Sequence, residues 1–363
     1  MEASLTKNSP LEELGVDSLI YVDELEGYFS AQTDIGDIFL LHGNRYADGV
    51  YTHHPGFKWL ENHNLNKLDL YPVLMSQRTI KNSEEIRMMK HVNSIASEGH
   101  KFMMKNSKAG LKEYQMAELF KFYSTWKGCE YWAYLPIVGS GRNAAILHYN
   151  ENNCDMTDGD LVLCDLGCRS NMYCSDITTT WPVNGKFTDK QKVIYNIVLK
   201  VQRDAIGLIK AGASYRDISH QVMKWIVAAL IEIGMIKPCE AEEGFTQDQI
   251  FHLWLCFMPH GLGHYIGLYT HDVGLARKKT GSDEYANDSI GSTSAMIAGM
   301  VTTVEPGIYF IRPVIEESRS NEKVKDFLVY DKIEEYFSVG GIRIEDVVHV
   351  LDGGCEVLTN VIF

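Results

Sequence analysis

A carboxylate stands inside an otherwise apolar run, Leu161-Val162-Leu163-Cys164-Asp165-Leu166, and a second follows in Cys174-Ser175-Asp176-Ile177-Thr178. A charged group in an apolar strand is costly unless a cation or hydrogen bonds compensate it. Turn-forming residues lie between the two runs, so 161–166 and 173–182 read as the arms of a hairpin. That pairing would bring Asp165 and Asp176 together across the ladder. Adjacent carboxylates repel unless they share a proton or a metal ion. The same residues also fit a hairpin with one capping or surface aspartate, and the pair alone leaves both readings open.

Three further segments carry chemistry. His260-Gly261-Leu262-Gly263-His264 is followed by Gly267 and by Thr270-His271-Asp272-Val273-Gly274. Glycines let the backbone approach a site closely, and imidazole serves as metal ligand and proton shuttle. Glu305 follows the strand-like run 301–304 and precedes Pro306-Gly307, which should end the pairing. In Gly340-Gly341-Ile342-Arg343-Ile344-Glu345, strand alternation puts Arg343 and Glu345 on one face and Ile342 and Ile344 on the other, core-facing side. Arg343 would orient Glu345 or simply pair with it.

The framework around these segments is mixed. Asn82 or Ser83 caps a helix with Glu84 and Glu85 in its first turn and Met89, Val92, Ala96, Gly99 and Met103 at helical spacing. Further helices are expected at about 111–126, 188–210 and 215–233, with Ala211-Gly212-Ala213 as the stop between the last two. Strands are expected at 161–166, 173–182, 301–304 and 342–350. Helix pairs alternating with strand hairpins indicate an α+β domain. The order of two helices and then strands occurs twice, which points to an internal duplication. Residues 1–80 form a separate layer with a His-rich aromatic loop at 51–59, and 81–363 form the main domain, with 78–83 as the junction.

A chain of 363 residues, 45% hydrophobic and 23% charged, has an ordinary globular composition and can bury a large core. No apolar run approaches the length of a membrane span. The polar, acidic N-terminus has neither secretory nor Arg-rich transit character, so the protein reads as cytosolic. A formal charge of -14 argues against nucleic acid as a partner. The eight cysteines contain no C-x-x-C pair, which speaks against structural zinc and a disulfide framework. Cys164 and Cys168, flanking Asp165, read as packing residues rather than ligands.

Taken in order, Asp165, Asp176, His264, Glu305 and Glu345 resemble the five-ligand signature of the pita-bread metallopeptidases. The flanks at 139–149, 257–274 and 301–311 look most like the eukaryotic prolidases, the Xaa-Pro dipeptidases of that family. The resemblance covers about residues 75 to 360. It implies an α+β pita-bread catalytic domain with an internal pseudo-twofold duplication, plus a small α/β N-terminal domain shortened relative to the family. Position by position, Asp165 would hold one metal, His264 and Glu305 the other, and Asp176 and Glu345 would bridge them with a water or hydroxide. His148, His260 and His271 would line the substrate site, with His260 or His271 stabilising the tetrahedral intermediate or its leaving group. Arg343 would support Glu345 and the proline end of the substrate, and Glu305 or a nearby carboxylate could act as general base.

Four carboxylates and one imidazole form a hard, oxygen-rich donor set that suits two divalent cations such as Mn²⁺. The implied substrates are short proline-containing peptides. A homodimer is implied too, weakened by the shortened N-terminal region. One departure concerns specificity. Prolidases carry a basic residue between the His cluster and the Glu305 position that reads the dipeptide carboxylate. Here 280–311 has no Lys or Arg, and Arg277, Lys278 and Lys279 come earlier. An aminopeptidase P acting on longer Xaa-Pro-Xaa peptides therefore stays open, as does a non-catalytic peptide-binding relative. Methionine aminopeptidase shares the ligands, but its surrounding motifs fit less well.

Overall fold

The structure, a computed structural model, describes residues 16–31, 38–39, 65–66, 70–241, 244–278, 285–287 and 295–361. The chain divides into two compact units, Met1–Leu74 with Lys278–Tyr285 and Met75–Arg277 with Ala286–Phe363. The first unit contains helix α1 (Leu25–Ala31) and a parallel pair of short strands, β1 (Ile38–Phe39) and β2 (Leu65–Asn66). The aromatic loop expected at 51–59 and the basic residue Lys279 lie outside the described residues, as do the side chains of Arg277 and Lys278.

Helix α2 (Tyr71–Thr79) leads into α3 (Ser83–Asn106). Asn82 caps α3: its side chain accepts the N–H groups of Glu84 and Glu85, and Glu85 accepts the Asn82 N–H in return. Met89, Val92, Ala96, Gly99 and Met103 are all buried, as their spacing requires. A Cβ at Gly99 would meet the Phe120 ring at 3.0 Å, so the glycine lets α4 (Glu113–Trp126) pack close. After α4 come β3 (Tyr131–Trp132), β4 (Ile137–Ser140), β5 (Leu161–Asp165), β6 (Cys168–Ser170), β7 (Tyr173–Cys174) and β8 (Thr178–Pro182). The second helix pair is α5 (Asp189–Ile206) and α6 (Tyr215–Glu232), separated by a turn in which Gly212 takes a φ of +83°. Helix α7 (Gln247–Leu255) and the paired strands β9 (Ala276–Lys278) and β10 (Tyr285–Asn287) follow. Then come β11 (Val301–Val304), β12 (Gly307–Tyr309), two short helices, β13 (Gly341–Arg343), β14 (Asp346–Leu351) and β15 (Gly354–Val357).

The strands β4, β5, β8 and β11 of the larger unit are buried on both faces, and alternation distributes their side chains between two cores. Val162 and Cys164 join Met89, Val92, Met116 and Phe120 from α3 and α4. Leu161 and Leu163 face the other way, toward Ile194, Val198, Ile218 and Val222 from α5 and α6. In the second half, Val301 and Val347 point to the first core, while Val304, Val348 and Val350 point to the second. Each helix pair thus covers one side of a central layer of strands. Burying a side chain such as Phe120 or Val198 contributes about 1.5–3 kcal/mol. Among the described residues, no helix is long and apolar enough to cross a membrane.

Two strand expectations are corrected. The run 173–182 is two strands, β7 and β8, interrupted at 175–177, and 342–350 is likewise β13 and β14, interrupted at 344–345. Pro306 and Gly307 end the β11 ladder as expected, but a second ladder with a different strand follows at once. β11 pairs with β14 through Val304↔Asp346, and the chain then resumes as β12 against β13 from Gly307↔Arg343. Proline needs only one ladder position without a donor, and the interruption supplies it.

Candidate metal centre

The candidate ligands sit where ladders end or break. Asp165 is the last residue of β5, and its cross-strand partner is Thr178, not Asp176. Asp176 lies in the gap between β7 and β8, while Leu166 N–H still donates to Ile177 O across the break. The hairpin therefore brings the two aspartates close, but through its interruption rather than by direct pairing. Glu305 and Glu345 occupy the matching gap between the β11–β14 and β12–β13 ladders, where Ile344 N–H donates to Pro306 O. At such breaks the backbone leaves its regular pleat and re-aims a side chain. Glu345 N–H donates to Thr178 O at 3.0 Å, which joins the two halves at the site.

His264 reaches the same place from the glycine-rich segment. Its Nε2 lies 3.2 Å from Asp176 Oδ2 and 3.6 Å from Glu305 Oε1. Its Nδ1 is 2.9 Å from the Tyr265 carbonyl, so Nδ1 donates there and Nε2 is directed at the carboxylates. Thr303 Oγ1 accepts the His264 N–H and donates to Glu305 Oε1, fixing both residues. Ligand atoms of Asp176, His264 and Glu345 all fall within 4.8 Å of one another. Asp165 joins the group through Tyr134, whose hydroxyl lies 2.5 Å from Asp165 Oδ1 and 2.6 Å from Asp176 Oδ1.

Arg343 is buried, and its Nη2 pairs with Asp165 Oδ2 at 2.6 Å. It touches Glu345 only by relay: Nε donates to Thr178 Oγ1, and that hydroxyl donates to Glu345 Oε2 at 2.6 Å. Nη1 donates to the Tyr309 hydroxyl, which lies 2.9 Å from His260 Nε2. His271 stacks edge-on against His264, ring centroids 4.2 Å apart. His148 is exposed, and its charge opposes protonation of both His260 and His271.

The electrostatics describe a cluster short of positive charge. Burial, then repulsion from Asp176, Glu305 and Asp165, holds the Glu345 carboxyl well above the usual range. Burial raises Glu305 to about 7, with Asp176 and Asp165 adding to the shift while His264 and Arg343 oppose it. Burial opposes charge on His264 as well, yet Asp176 and Glu305 raise it to about 9. Burial lowers His260 to about 3 and His271 to about 4, helped by Arg343 at the first and by His264 and His148 at the second. Four carboxylates thus face one permanent cation, Arg343, and Glu345 Oε1 is buried without a hydrogen-bond partner. An unpaired buried carboxylate oxygen beside an imidazole Nε2 directed at carboxylates is what a divalent cation would satisfy on displacing the proton from that nitrogen, so these residues fit such a group.

Cys164 and Cys168 stay apart from the cluster: both are buried, and Cys168 Sγ contacts Cys129 Sγ at 3.2 Å. Reading the residues alone misses Tyr134, Thr178 and Tyr309. Nothing in Tyr131-Trp132-Ala133-Tyr134 marks the last ring as polar in role, and Tyr309 looks like a core aromatic until Arg343 and His260 are seen around its hydroxyl.

The model of Metallopeptidase family M24 matches residues 87–352. The Xaa-Pro dipeptidase of Homo sapiens is 33% identical over 356 residues, covering 96% of this chain and 71% of that protein. A probable Xaa-Pro aminopeptidase of Pyrenophora tritici-repentis is 36% identical over 295 residues, covering 80% of this chain and 61% of that one. Among solved structures, zinc-substituted Escherichia coli aminopeptidase P in complex with product superposes with a TM-score of 0.77 at 31% identity, over 98% of this chain and 75% of the other. With the duplicated helix-and-strand halves meeting at a carboxylate-rich cluster, this chain belongs to metallopeptidase family M24 and has its pita-bread fold.

Proposed function

We propose that this protein hydrolyses the peptide bond before proline, most readily in dipeptides. The observation that carries this is the convergence of Asp176, His264 and Glu345 within 4.8 Å, with Glu305 and Asp165 attached through Thr303 and Tyr134. Similarity to Xaa-Pro dipeptidases over 96% of the chain supports the substrate class. Asp165, Asp176, His264, Glu305 and Glu345 would hold two divalent cations, and the oxygen-rich donor set favours Mn²⁺. Bound there, the cations supply an ionised water and a polarised scissile carbonyl.

The remaining work falls to the chain's own side chains. Glu305 takes a proton from the attacking water and passes it to the leaving proline nitrogen, so that one water is consumed and one amide bond broken. His271, neutral across the physiological range, donates a hydrogen bond without adding charge, whereas the single N–H of neutral His260 is held on Nδ1 by the Gly261 carbonyl and its Nε2 accepts from Tyr309. Tyr309, held by Arg343, fixes the His260 ring. His148 lines the outer, solvent side. We further take the protein to be cytosolic and to act as a homodimer.

Loading the protein with Mn²⁺ and offering Gly-Pro beside an Xaa-Pro-Xaa peptide, with Asp176→Asn as control, tests the reading. Gly-Pro cleavage that the control loses supports it. Cleavage of the longer peptide alone makes the protein an aminopeptidase P, a second reading favoured by the absence of Lys or Arg from 280–311. No cleavage of either overturns both.

A further inference from the structure

His271 has no hydrogen-bond partner for its ring among the described residues, and its neighbour is the His264 ring at 4.2 Å. Its position therefore depends on the backbone that carries it. That backbone is gripped on both sides. Asp272, the next residue, has a side chain only 1% exposed, and its Oδ1 accepts from Arg78 Nη2 at 2.5 Å. Its Oδ2 lies 3.4 Å from Lys81 Nζ, whose side chain is equally buried. The Arg78 guanidinium also lies over the Tyr269 ring, 4.6 Å from its centroid, so one cation holds the loop before and after His271.

The surroundings are shaped for this contact. A Cβ at Gly267 would overlap Asp272 Oδ2 and come within 2.9 Å of Lys81 Cε, so only glycine leaves room for the pair. Asp272 N–H donates to Tyr265 O at 2.8 Å, and Thr270 Oγ1 donates to Ala133 O at 3.2 Å, beside Tyr134. Lys81 is anchored in turn: its N–H donates to Gly299 O, and the next residue is the α3 cap. Stability alone does not account for burying Lys81 and Asp272 beside the half-buried Arg78, because desolvation offsets most of their attraction. Their geometric effect is specific: they orient one loop.

We propose that the Arg78–Asp272–Lys81 clamp positions His271 toward the substrate, which makes Asp272 a positioning residue acting through His271. The proposal rests on the peptidase reading for the role of His271, but its effect on the loop can be read without turnover.

The test compares the metal-loaded full chain with Asp272→Asn and Arg78→Met by hydrogen exchange and by steady-state kinetics. Asp272→Asn should speed exchange across 269–274 about tenfold or more while leaving α3 unchanged. It should lower kcat/KM by about 10–100-fold, as loss of a supporting contact does. In a His271→Ala background it should cost little more, because its effect runs through that ring. Arg78→Met should act in the same direction, and it decides the matter if Asp272→Asn does not fold. Unaltered exchange at 269–274, or losses that multiply in the double variant, would overturn the proposal. If the wild type cleaves no Xaa-Pro peptide, the peptidase reading falls, and the exchange data alone decide whether the clamp orders the loop.

Discussion

One phenol serves two carboxylates: the Tyr134 hydroxyl stands 2.5 Å from Asp165 Oδ1 and 2.6 Å from Asp176 Oδ1. A hydroxyl has a single proton, so it satisfies one oxygen at a time and leaves the other facing a like charge. Burial and the charges of Asp165, Asp176 and Glu345 keep that phenol protonated far above its ordinary range. Tyr134→Phe should therefore weaken divalent-ion binding by about 10–100-fold with the fold intact. Calorimetric titration of the chelated protein with Mn²⁺ checks this, and an unchanged affinity counts against a supporting role for Tyr134.

Glu345 carries the buried oxygen without a partner. An unsatisfied buried acceptor costs about 1–3 kcal/mol. Glu345→Gln should thus make the chelated protein more stable by an amount of that order, while the stabilisation gained on adding Mn²⁺ shrinks. Urea unfolding with and without the ion reads both quantities. A variant that keeps the full ion-dependent gain would remove Glu345 from the candidate ligands.

Gly263 sits where a Cβ would come within 2.7 Å of Thr303 Oγ1 and crowd the Tyr215 hydroxyl. Thr303 holds both His264 and Glu305, so added bulk displaces two candidate ligands at once. Gly263→Ala should cost more than about 2 kcal/mol of stability and lower the metal content of purified protein. Normal metal content together with normal stability would show that the strands yield more easily than their packing implies.

His100 is fully buried, with Nε2 donating to Leu166 O at 3.1 Å and Nδ1 accepting from Thr179 Oγ1 at 2.9 Å. Burial lowers its pKa from 6.5 to about 4. Between those values the unfolded chain binds a proton that the folded chain refuses. This contribution to stability is therefore complete above pH 6.5 and is lost as pH falls toward 4, amounting to roughly 3 kcal/mol across the window. His100→Gln should flatten that part of the stability–pH curve relative to wild type. Parallel curves for the two proteins would mean that the ring titrates normally.

Much of the framework is legible in local sequence because it depends on local rules. Asn82 with Glu85 is a capping box, and the spacing from Met89 to Met103 describes the buried face of α3. The strand-like runs expected at 161–166 and 301–304 become β5 and β11. A carboxylate in an apolar strand must be compensated, which is why Asp165 stands out among the aspartates of the chain. The break points of the ladders are not legible in the same way. Nothing local distinguishes the interruptions at 175–177 and 344–345 from continuous strand, because they arise from how separate hairpins meet.

By itself, the sequence determined the two helix pairs, the strands that follow Gly159 and Met300, the hard character of the donor set and the glycines that allow close approach. These follow from periodicity, side-chain chemistry and the missing Cβ. Only the tertiary structure decided that Asp165 faces Thr178, that Arg343 pairs with Asp165 and reaches Glu345 through a threonine hydroxyl, and that Arg78 and Lys81 close on Asp272. The three groups of the clamp lie more than 190 positions apart at their widest. Contacts of that kind depend on the register and crossing of packed layers, which no short window of residues encodes.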